Sequence, residues 1–283
     1  MDALNNVIDH FPEVGEIIQI KPLTSGLINQ TYLVQTKSVT DPDYILQCIN
    51  HHIFTDVDML QHNIEAVTSH IRQKLEEAHE DDIDRKVLRF VKADNGKTYY
   101  FDGEKYWRMS VFIPDSQTLD VVTPDSSYLV GLKFGEFEAM LADMTESLGE
   151  TIPDFHNMEF RLKQLREAVQ QDAVGRMEKV HTLVADIEKD AEEMCCAERL
   201  YREGKLPKRI CHCDTKVSNM LFDEQGKVLC VIDLDTVMPS FVFSDFGDFL
   251  RSAANTAPED EPDLSKIHFR FDIFQAFAKG YIE

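Results

Sequence analysis

Residues 211–239 decide the interpretation of this chain, and they read CHCDTKVSNMLFDEQGKVLCVIDLDTVMP. Apolar runs at residues 209–212 and 228–232 predict two short β-strands, which the turn residues at 223–226 separate. Asp214 follows the first predicted strand, Asp233 follows the second, and Asn219 precedes a further apolar segment. Two carboxylates and one amide therefore stand at the ends of apolar segments.

The polar residues of this stretch also have an informative spacing. Lys216 follows Asp214 by two positions and Asn219 follows it by five, while His212 precedes it by two. Asp233 comes 14 residues after Asn219, at the end of an apolar strand. This is the spacing of the catalytic loop and the metal-binding aspartate of kinases, and it predicts a phosphotransferase site.

Phosphoryl transfer explains each of these residue types. The reaction requires an acceptor hydroxyl in line with the γ-phosphate and neutralisation of the charge on the phosphate oxygens. Asp214 can accept the hydroxyl proton, but an ordinary aspartate titrates near ~4, so its effect should come mainly from orienting that hydroxyl. Asn219 and Asp233 supply the oxygen ligands that Mg²⁺ prefers. Lys216, the second predicted catalytic residue, can reach the transferring phosphate as a point charge.

Other residues of this region have more than one interpretation. We expect His212 to brace the loop through hydrogen bonds rather than to titrate in the reaction. Asp245 is expected to hold the catalytic loop through hydrogen bonds, with a direct substrate role as the alternative. Arg251 is expected either to pair with a neighbouring carboxylate or to reach a ligand. Cys211, His212 and Cys213 do not predict a zinc site, because consecutive strand residues point to opposite faces and no second ligand pair is present.

The first third of the chain predicts a small antiparallel sheet. Short runs rich in Ile, Val, Tyr and Leu predict strands at residues 16–20, 31–36, 44–49, 87–92, 97–101 and 105–113. The Asp102-Gly103 pair between the last two runs predicts a hairpin, and such short connections favour antiparallel pairing. Apolar residues at helical spacing over residues 56–77 predict one helix that interrupts the strands.

After residue 114 the pattern becomes mostly helical. Helices are predicted over residues 126–146, over 158–202 with a break near 172–175, and from 264 or 265 to the end. The whole pattern predicts an α+β, bilobal fold, with a small antiparallel-sheet lobe at residues 1–113 and a larger, mostly helical lobe at 114–283. A hinge is expected near residues 113–116, and the cleft between two such lobes is a natural ligand site.

Composition argues against several classes of partner. The chain has 283 residues, 43% of them apolar, which is enough for a large core. Its 29 basic and 51 acidic residues give a net charge of -22, which argues against binding nucleic acids or anionic membranes. No apolar run approaches the ~18 residues of a membrane span, and no signal peptide is visible. The six scattered cysteines indicate reduced thiols, so we expect a cytoplasmic protein; the sequence does not indicate its oligomeric state.

Several motifs together resemble one kinase superfamily. Residues 211–223, 231–239 and 245–251 look like the catalytic and metal-binding segments of the aminoglycoside and choline kinases. Within that superfamily the resemblance is closest to the bacterial N-acetylhexosamine 1-kinases. That closer resemblance includes further segments at residues 26–32, 44–47, 107–109, 152–156, 254–257 and 259–261. The resemblance extends from about residue 14 to the end of the chain.

This resemblance implies a protein-kinase-like fold and a specific reaction. The enzyme would use ATP and Mg²⁺ and move phosphate to the anomeric hydroxyl of a small-molecule sugar, N-acetylglucosamine or N-acetylgalactosamine. By position, Asp214 is the base, and Asn219 and Asp233 hold Mg²⁺.

The resemblance also implies where the ligands bind. The lobe at residues 1–113 binds the nucleotide, and the lobe at 114–283 is catalytic and binds the substrate. The loop with Gly26 and Asn29 covers the phosphates, and the hinge backbone at Phe112 and Ile113 takes the adenine.

Three features depart from the family pattern. Gln47 stands where many kinases carry a phosphate-pairing lysine, so Lys216, Mg²⁺ or another basic residue must compensate for the missing charge. Gly26 is the only glycine of its loop. Members of this branch usually continue beyond the segment that ends here at Glu283, so we expect a truncated C-terminus that lacks part of the sugar pocket and lowers activity.

Two alternative functions follow from these departures and from the charge. The same chemistry could act on another hydroxyl acceptor, such as an aminoglycoside, choline or an amino alcohol, because a strongly acidic protein can attract a cation. The chain could also be a nucleotide-binding module without turnover. Its intact Asp214, Asn219 and Asp233 argue against that last alternative.

Overall fold

A five-stranded antiparallel sheet dominates the first part of the chain. The computed structural model describes residues 2–23, 28–119, 121–257 and 261–283. The strands lie in the order β1-β2-β3-β5-β4, and their bounds are β1 Ile17–Leu23, β2 Gln30–Thr36, β3 Tyr44–Ile49, β4 Tyr99–Phe101 and β5 Tyr106–Val111. Helix α1 (Asp2–Ile8) packs on one face of this sheet, and helix α2 (Val57–Glu77) packs on the other.

The two faces of the sheet differ because side chains alternate along each strand. Leu46 on β3 lies opposite Met109 on β5, and both are buried in the core that contains α1. Their neighbours Gln47 and Arg108 also lie opposite each other and point to the other face. The sheet register therefore places two polar side chains on the face that meets the rest of the molecule.

Five of the six strands predicted in this region are present, with ends shifted by a few residues. The Asp102-Gly103 hairpin is confirmed, and Gly103 has a φ of 103°, which favours glycine. The predicted strand at residues 87–92 is wrong, since only Phe90 forms a bridge there, with Ser110 on β5. Strand β4 already occupies the same edge of β5 opposite residues 106–108, which leaves that segment too little edge to pair with.

The second part of the chain is mostly helical and contains two small sheets. Its helices are α3 Pro124–Leu141, α4 Met158–Gln171, α5 Met177–Met194, α6 Cys196–Arg202, α7 Val242–Ala253 and α8 Phe271–Ile282. Strand β6 (Arg209–Cys211) pairs with β9 (Met238–Ser240), and β7 (Met220–Phe222) pairs with β8 (Val228–Val231). The strands predicted at residues 209–212 and 228–232 are thus confirmed, whereas their partners β9 and β7 were not predicted.

The helix boundaries show what the periodicity predicted well and where it was wrong. The break expected at residues 172–175 is confirmed, because Asp172 and Gly175 take positive φ values of 37° and 62°. The last helix begins at Phe271 rather than at 264 or 265. Residues 264–266 form a separate 3-10 turn, which the Asp263 side chain caps through the N–H of Ser265.

Helix α3 approaches α8 closely at three glycines. Gly131, Gly135 and Gly280 lie where the helices cross, and a Cβ on any of them would collide with backbone atoms of the other helix. This close approach matters for the site, because α3 carries side chains that pack behind the catalytic loop. Within the described residues, no helix combines the length and the apolar character needed to cross a bilayer.

Candidate active site

The loop at residues 212–219 connects β6 to β7, and helix α7 holds it in place. Asp245 on α7 is buried and accepts hydrogen bonds from the backbone N–H groups of His212 (2.6 Å) and Cys213 (2.8 Å). The Thr215 hydroxyl donates to the carbonyl oxygen of Asp245 at 2.6 Å. Both carboxylate oxygens of Asp245 thus hold the loop backbone, which confirms the bracing role that the sequence predicted.

His212 is fully buried and makes a hydrogen bond at each ring nitrogen. Its Nε2 lies 3.0 Å from the carbonyl oxygen of Ile232, and its Nδ1 accepts from the N–H of Asp214 at 3.3 Å. The rings of Phe134 and Phe137 contact the imidazole edge-on. A donating Nε2 and an accepting Nδ1 assign the neutral tautomer. His212 therefore connects the loop to the end of β8, as expected.

Asp214, Lys216 and Asn219 form one group. The Asn219 amide donates to the Asp214 carboxylate at 3.0 Å and to the Asp214 carbonyl at 2.9 Å. Lys216 Nζ lies 3.2 Å from the other carboxylate oxygen of Asp214, whose side chain remains 26% exposed. In the described part of the chain, the amide oxygen of Asn219 accepts no hydrogen bond, so it is available to a cation. The accessible carboxylate of Asp214 therefore lies between the ammonium group of Lys216 and the amide of Asn219, whose oxygen can bind a metal ion.

Asp233 lies in the turn that follows β8, in a left-handed backbone conformation with a φ of 60°. The N–H of Ile232 donates to the carbonyl of Asn219 at 2.9 Å, which ties this turn to the catalytic loop. The pKa of Asp233 is raised to about 7 because the surrounding protein removes water and because Asp235 and Asp214 add negative charge. Asp233 as a whole is nevertheless exposed to solvent. Crowded oxygen donors of this kind fit a hard divalent cation such as Mg²⁺.

The predicted phosphate loop is only partly described. Gly26 lies outside the described residues. Asn29 is described, and its amide is already engaged on both sides. Its Nδ2 donates to Asp235 at 2.6 Å, and its Oδ1 accepts from the N–H of Asn50 at 2.9 Å. Asn29 therefore joins this loop to the segment after β8.

The hinge residues follow the last strand of the large sheet. The Phe112 N–H donates to the carbonyl of Asp43 at 2.9 Å, and the Ile113 carbonyl accepts from the Ser116 hydroxyl at 2.6 Å. Among the described residues, no hydrogen bond involves the Phe112 carbonyl or the Ile113 N–H. These two groups belong to one trans peptide and point to opposite sides of the chain, so either one, but not both, can pair with an adenine edge.

A buried carboxyl pair lies behind the catalytic loop. The ligand atoms of Glu138 on α3, Cys211 on β6 and Asp245 lie within 4.8 Å of one another. Burial, followed by the nearby Glu138, raises the pKa of Asp245 to about 8, and burial also raises the pKa of Glu138. The Tyr281 hydroxyl donates to Glu138 at 2.7 Å. Because Asp245 already binds two backbone N–H groups, we interpret this group as a proton-holding pair rather than a metal site.

The carboxyl pair predicts a pH-dependent stability. Asp245 keeps its proton up to about pH 8 in the folded protein, whereas an unfolded aspartate loses it near ~4. Unfolding therefore releases a proton between these values, and stability falls as the pH rises through this window. Glu138→Gln removes one source of the shift, so the decline in melting temperature from about pH 6 to about pH 8.5 should become shallower.

A matched control for this prediction is Glu136→Gln, an exposed change on the same helix. This control should keep the slope of the unmodified protein. Equal slopes in the two variants would show that the Glu138–Asp245 pair does not set the pH dependence.

A cavity of about 410 Å³ opens next to the catalytic loop. It is lined by aromatic side chains, including Phe155, Phe241 and Phe243, and by Asp248 on α7. Asp248 accepts a hydrogen bond from the N–H of Thr215 at 2.9 Å, which connects the cavity wall to the loop that carries Asp214. The cavity therefore lies beside the loop that carries Asp214.

The charged groups of this cavity balance each other. Arg161 donates to the carbonyl of Phe155, and Arg251 contacts Asp248 at 2.8 Å, which matches the carboxylate pairing expected of Arg251. Glu198 is 8% exposed, and burial raises its pKa. Burial also lowers the pKa of His156, whose Nδ1 has no hydrogen-bond partner in the described chain. Glu198 likewise makes no hydrogen bond to any described residue, so two buried polar groups there remain available to a ligand.

Sequence reasoning did not identify these cavity residues as a site. His156 was noted only as part of a matching segment, and Glu198 falls within a long amphipathic stretch in which acidic residues are frequent. Helix α7, which carries Asp245 and Asp248, was not predicted as a helix. Its apolar positions at 246, 249 and 250 are spaced as on one helical face, and this was the available signal.

The molecule combines a sheet-containing lobe with a helical lobe, and it has a carboxylate and an amide beside a cavity. These features together define a kinase-like phosphotransferase. The sequence profile of the phosphotransferase enzyme family (APH) matches residues 19–278. The chain belongs to this family.

Solved structures with the same fold include three phosphotransferases of low sequence identity. A spectinomycin phosphotransferase in complex with ADP and spectinomycin has a TM-score of 0.57 and 14% identity, with 100% of this chain and 79% of that chain covered. The choline kinase from Streptococcus pneumoniae has a TM-score of 0.53 and 18% identity, with 99% and 80% covered. An amicoumacin kinase in complex with AMP-PNP and Ca²⁺ has a TM-score of 0.58 and 15% identity, with 99% and 76% covered.

These comparisons confirm the predicted bilobal, protein-kinase-like α+β fold and the resemblance to the aminoglycoside and choline kinase superfamily. The closer resemblance to the N-acetylhexosamine 1-kinases stays a prediction. So do the lobe boundary at residues 113 and 114 and the roles of the individual site residues.

Proposed function

We propose that this protein is an ATP- and Mg²⁺-dependent kinase that phosphorylates the anomeric hydroxyl of an N-acetylhexosamine. The observation that supports this most strongly is the accessible carboxylate of Asp214. It has a set of metal-donating oxygens on one side and an aromatic cavity beside the same loop. A phosphate donor bound on the first side and a hydroxyl acceptor bound on the second would meet at Asp214.

Asp214 would orient the acceptor hydroxyl and take its proton as the hydroxyl oxygen bonds to the γ-phosphorus and the bond from that phosphorus to the departing ADP oxygen breaks. Asn219 and Lys216 hold the two carboxylate oxygens, so little reorganisation is needed during the reaction. Asn219 and Asp233 would hold the metal ion. When bound, Mg²⁺ supplies the positive charge that the phosphate oxygens require. Lys216 can move from Asp214 toward the transferred phosphate.

The nucleotide base would bind at the hinge. Either the carbonyl of Phe112 or the N–H of Ile113 would pair with the adenine edge, because the two point to opposite sides of one trans peptide. The phosphates would then extend toward Asn219 and Asp233. Asn29, which directly precedes β2, contributes by linking the start of that strand to Asp235.

The charges that line the cavity fit a neutral acceptor better than a polycation. Its wall contains two carboxylates and two arginines, so their charges balance. Phe241 and Phe243 stack with ring centroids 5.5 Å apart, which provides an apolar surface for the C–H face of a sugar. Glu198 and His156 can hydrogen-bond sugar hydroxyl or acetamido groups. A small quaternary ammonium acceptor is the second candidate, because aromatic rings beside a carboxylate also attract cations.

A panel of acceptors tests this proposal. ADP release should depend on N-acetylglucosamine or N-acetylgalactosamine, and phosphorus NMR should show a sugar 1-phosphate. Reactions without acceptor measure the ATPase background. Turnover that depends on choline, an amino alcohol or an aminoglycoside would replace the sugar proposal with the second candidate. Nucleotide binding without turnover on any acceptor would indicate a non-catalytic module.

Glu198→Gln tests the acceptor side of the cavity. The KM for the acceptor should rise by roughly tenfold, since a hydrogen bond to a charged group contributes about 1.5 kcal/mol. The KM for ATP and kcat should change little, because Glu198 contacts neither the nucleotide nor the reacting atoms in this arrangement. Glu193→Gln, an exposed change on the neighbouring helix α5, serves as the control. An unchanged acceptor KM would remove Glu198 from the acceptor site.

A further inference from the structure

The sheet lobe lacks the lysine that many kinases carry on β3, so any positive charge that this lobe supplies must come from another residue. Gln47 occupies that position, and it lies directly opposite Arg108 on β5 and Thr31 on β2. Gln47 Oε1 accepts from Arg108 Nε at 2.9 Å, and Gln47 Nε2 donates to Thr31 at 3.3 Å. Gln47 therefore orients the guanidinium of Arg108.

Arg108 reaches across to the segment that follows β8. Its Nη1 lies 2.5 Å from Asp235 Oδ1, and the two side chains are only 3% and 4% exposed. The N–H direction is not aligned with that oxygen, so the contact is an ion pair rather than a hydrogen bond. Asp235 also accepts from Asn29. The network thus links three parts of the sheet lobe to a residue two positions after Asp233.

Two polar residues of α2 contact a side chain outside this network. Gln61 and Glu65 both accept from the hydroxyl of Thr98. In many kinases a β3 lysine pairs with a glutamate of the corresponding helix, inside the same lobe. Within the described residues, this protein has no such β3–α2 ion pair, whereas it has a buried ion pair between the lobes.

A buried ion pair is costly unless its geometry is well fixed, and its best-attested use is to select one arrangement over others. Arginine suits this purpose because its planar fork can be held at two points at once. Here Gln47 accepts a hydrogen bond from Nε, while Asp235 attracts the Nη1 side of the guanidinium by its charge. The pair therefore fixes the orientation of the turn at residues 233–235 relative to the sheet.

We propose that Arg108 is a positioning residue that replaces the β3 lysine pair of other kinases. By holding Asp235, it sets the position of the Asp233 carboxylate toward the metal and the nucleotide phosphates. This inference rests on the proposed use of Mg²⁺ and a nucleotide, but not on the identity of the acceptor.

Calorimetric titration with ADP, with and without Mg²⁺, tests this role without any acceptor. The variants are Arg108→Met, Arg108→Lys and Asp235→Asn. We expect the affinity for metal-free ADP to change little. The additional affinity that Mg²⁺ provides should fall by roughly 10- to 100-fold in Arg108→Met and Asp235→Asn, the range for residues that orient a metal ligand. Arg108→Lys should keep part of it.

The double variant Arg108→Met with Asp235→Asn should lose no more than either single variant, since both changes break the same contact. Arg166→Met, which breaks the exposed pair with Glu188, is the control and should have no effect. Melting curves without ligand identify variants that fail to fold, and the isosteric Asp235→Asn then carries the test.

Two outcomes would overturn the inference. One is an equal loss of affinity for ADP with and without Mg²⁺, and the other is additive losses in the double variant. If the unmodified protein bound ADP no better with Mg²⁺ than without it, the proposed function would itself be wrong, and this inference with it.

Discussion

Asp214→Asn is expected to lower kcat by roughly 10² or more, because it removes the carboxylate that we propose accepts the proton of the acceptor hydroxyl. The amide has nearly the same shape, and its one oxygen can still accept from the Asn219 amide, whereas Lys216 loses its charged partner. Affinity for Mg²⁺ and ATP should therefore remain close to that of the unmodified protein. The measurement is the initial rate of ADP release at saturating ATP and acceptor.

Glu224→Gln provides the control for Asp214→Asn. Glu224 is exposed in the turn between β7 and β8 and makes no hydrogen bond to a described residue through its side chain. This variant should keep full activity. Near-normal turnover of Asp214→Asn would contradict the assignment of Asp214, whatever the acceptor is.

The sequence predicted the catalytic loop well because its geometry is local. Asp214, Lys216 and Asn219 are separated by a few residues, and the short strands on both sides leave the connecting loop few possible conformations. The bracing by His212 and Asp245 was also predicted, because buried polar groups beside such a loop need hydrogen-bond partners.

The contacts between distant segments could not be predicted in the same way. Arg108 and Asp235 belong to different lobes, and no periodicity in a single sequence pairs them. The missing lysine at Gln47 did indicate that another basic group must compensate, but not which one. The cavity is similarly assembled from α4, α6 and α7, so its lining depends on helix packing that sequence patterns do not specify.

Asp233→Asn is expected to have the other large effect. The change removes one negative charge from the site where the metal would bind, while the oxygen ligand remains. A metal ion contributes several kcal/mol to stabilising charge in the transition state, and about 2.7 kcal/mol corresponds to 10² in rate. We therefore expect kcat to fall by roughly 10² at a Mg²⁺ concentration that saturates the unmodified enzyme.

The dependence on metal concentration separates this effect from a loss of folding. Rates measured over a series of Mg²⁺ concentrations should give a higher half-saturating concentration for Asp233→Asn, and part of the activity should return at high Mg²⁺. Asp214→Asn, in contrast, should show the same half-saturating concentration as the unmodified protein and no recovery. If both variants responded to Mg²⁺ alike, the division between a metal ligand at 233 and an orienting base at 214 would be wrong, because the two carboxylates would then act on the same step.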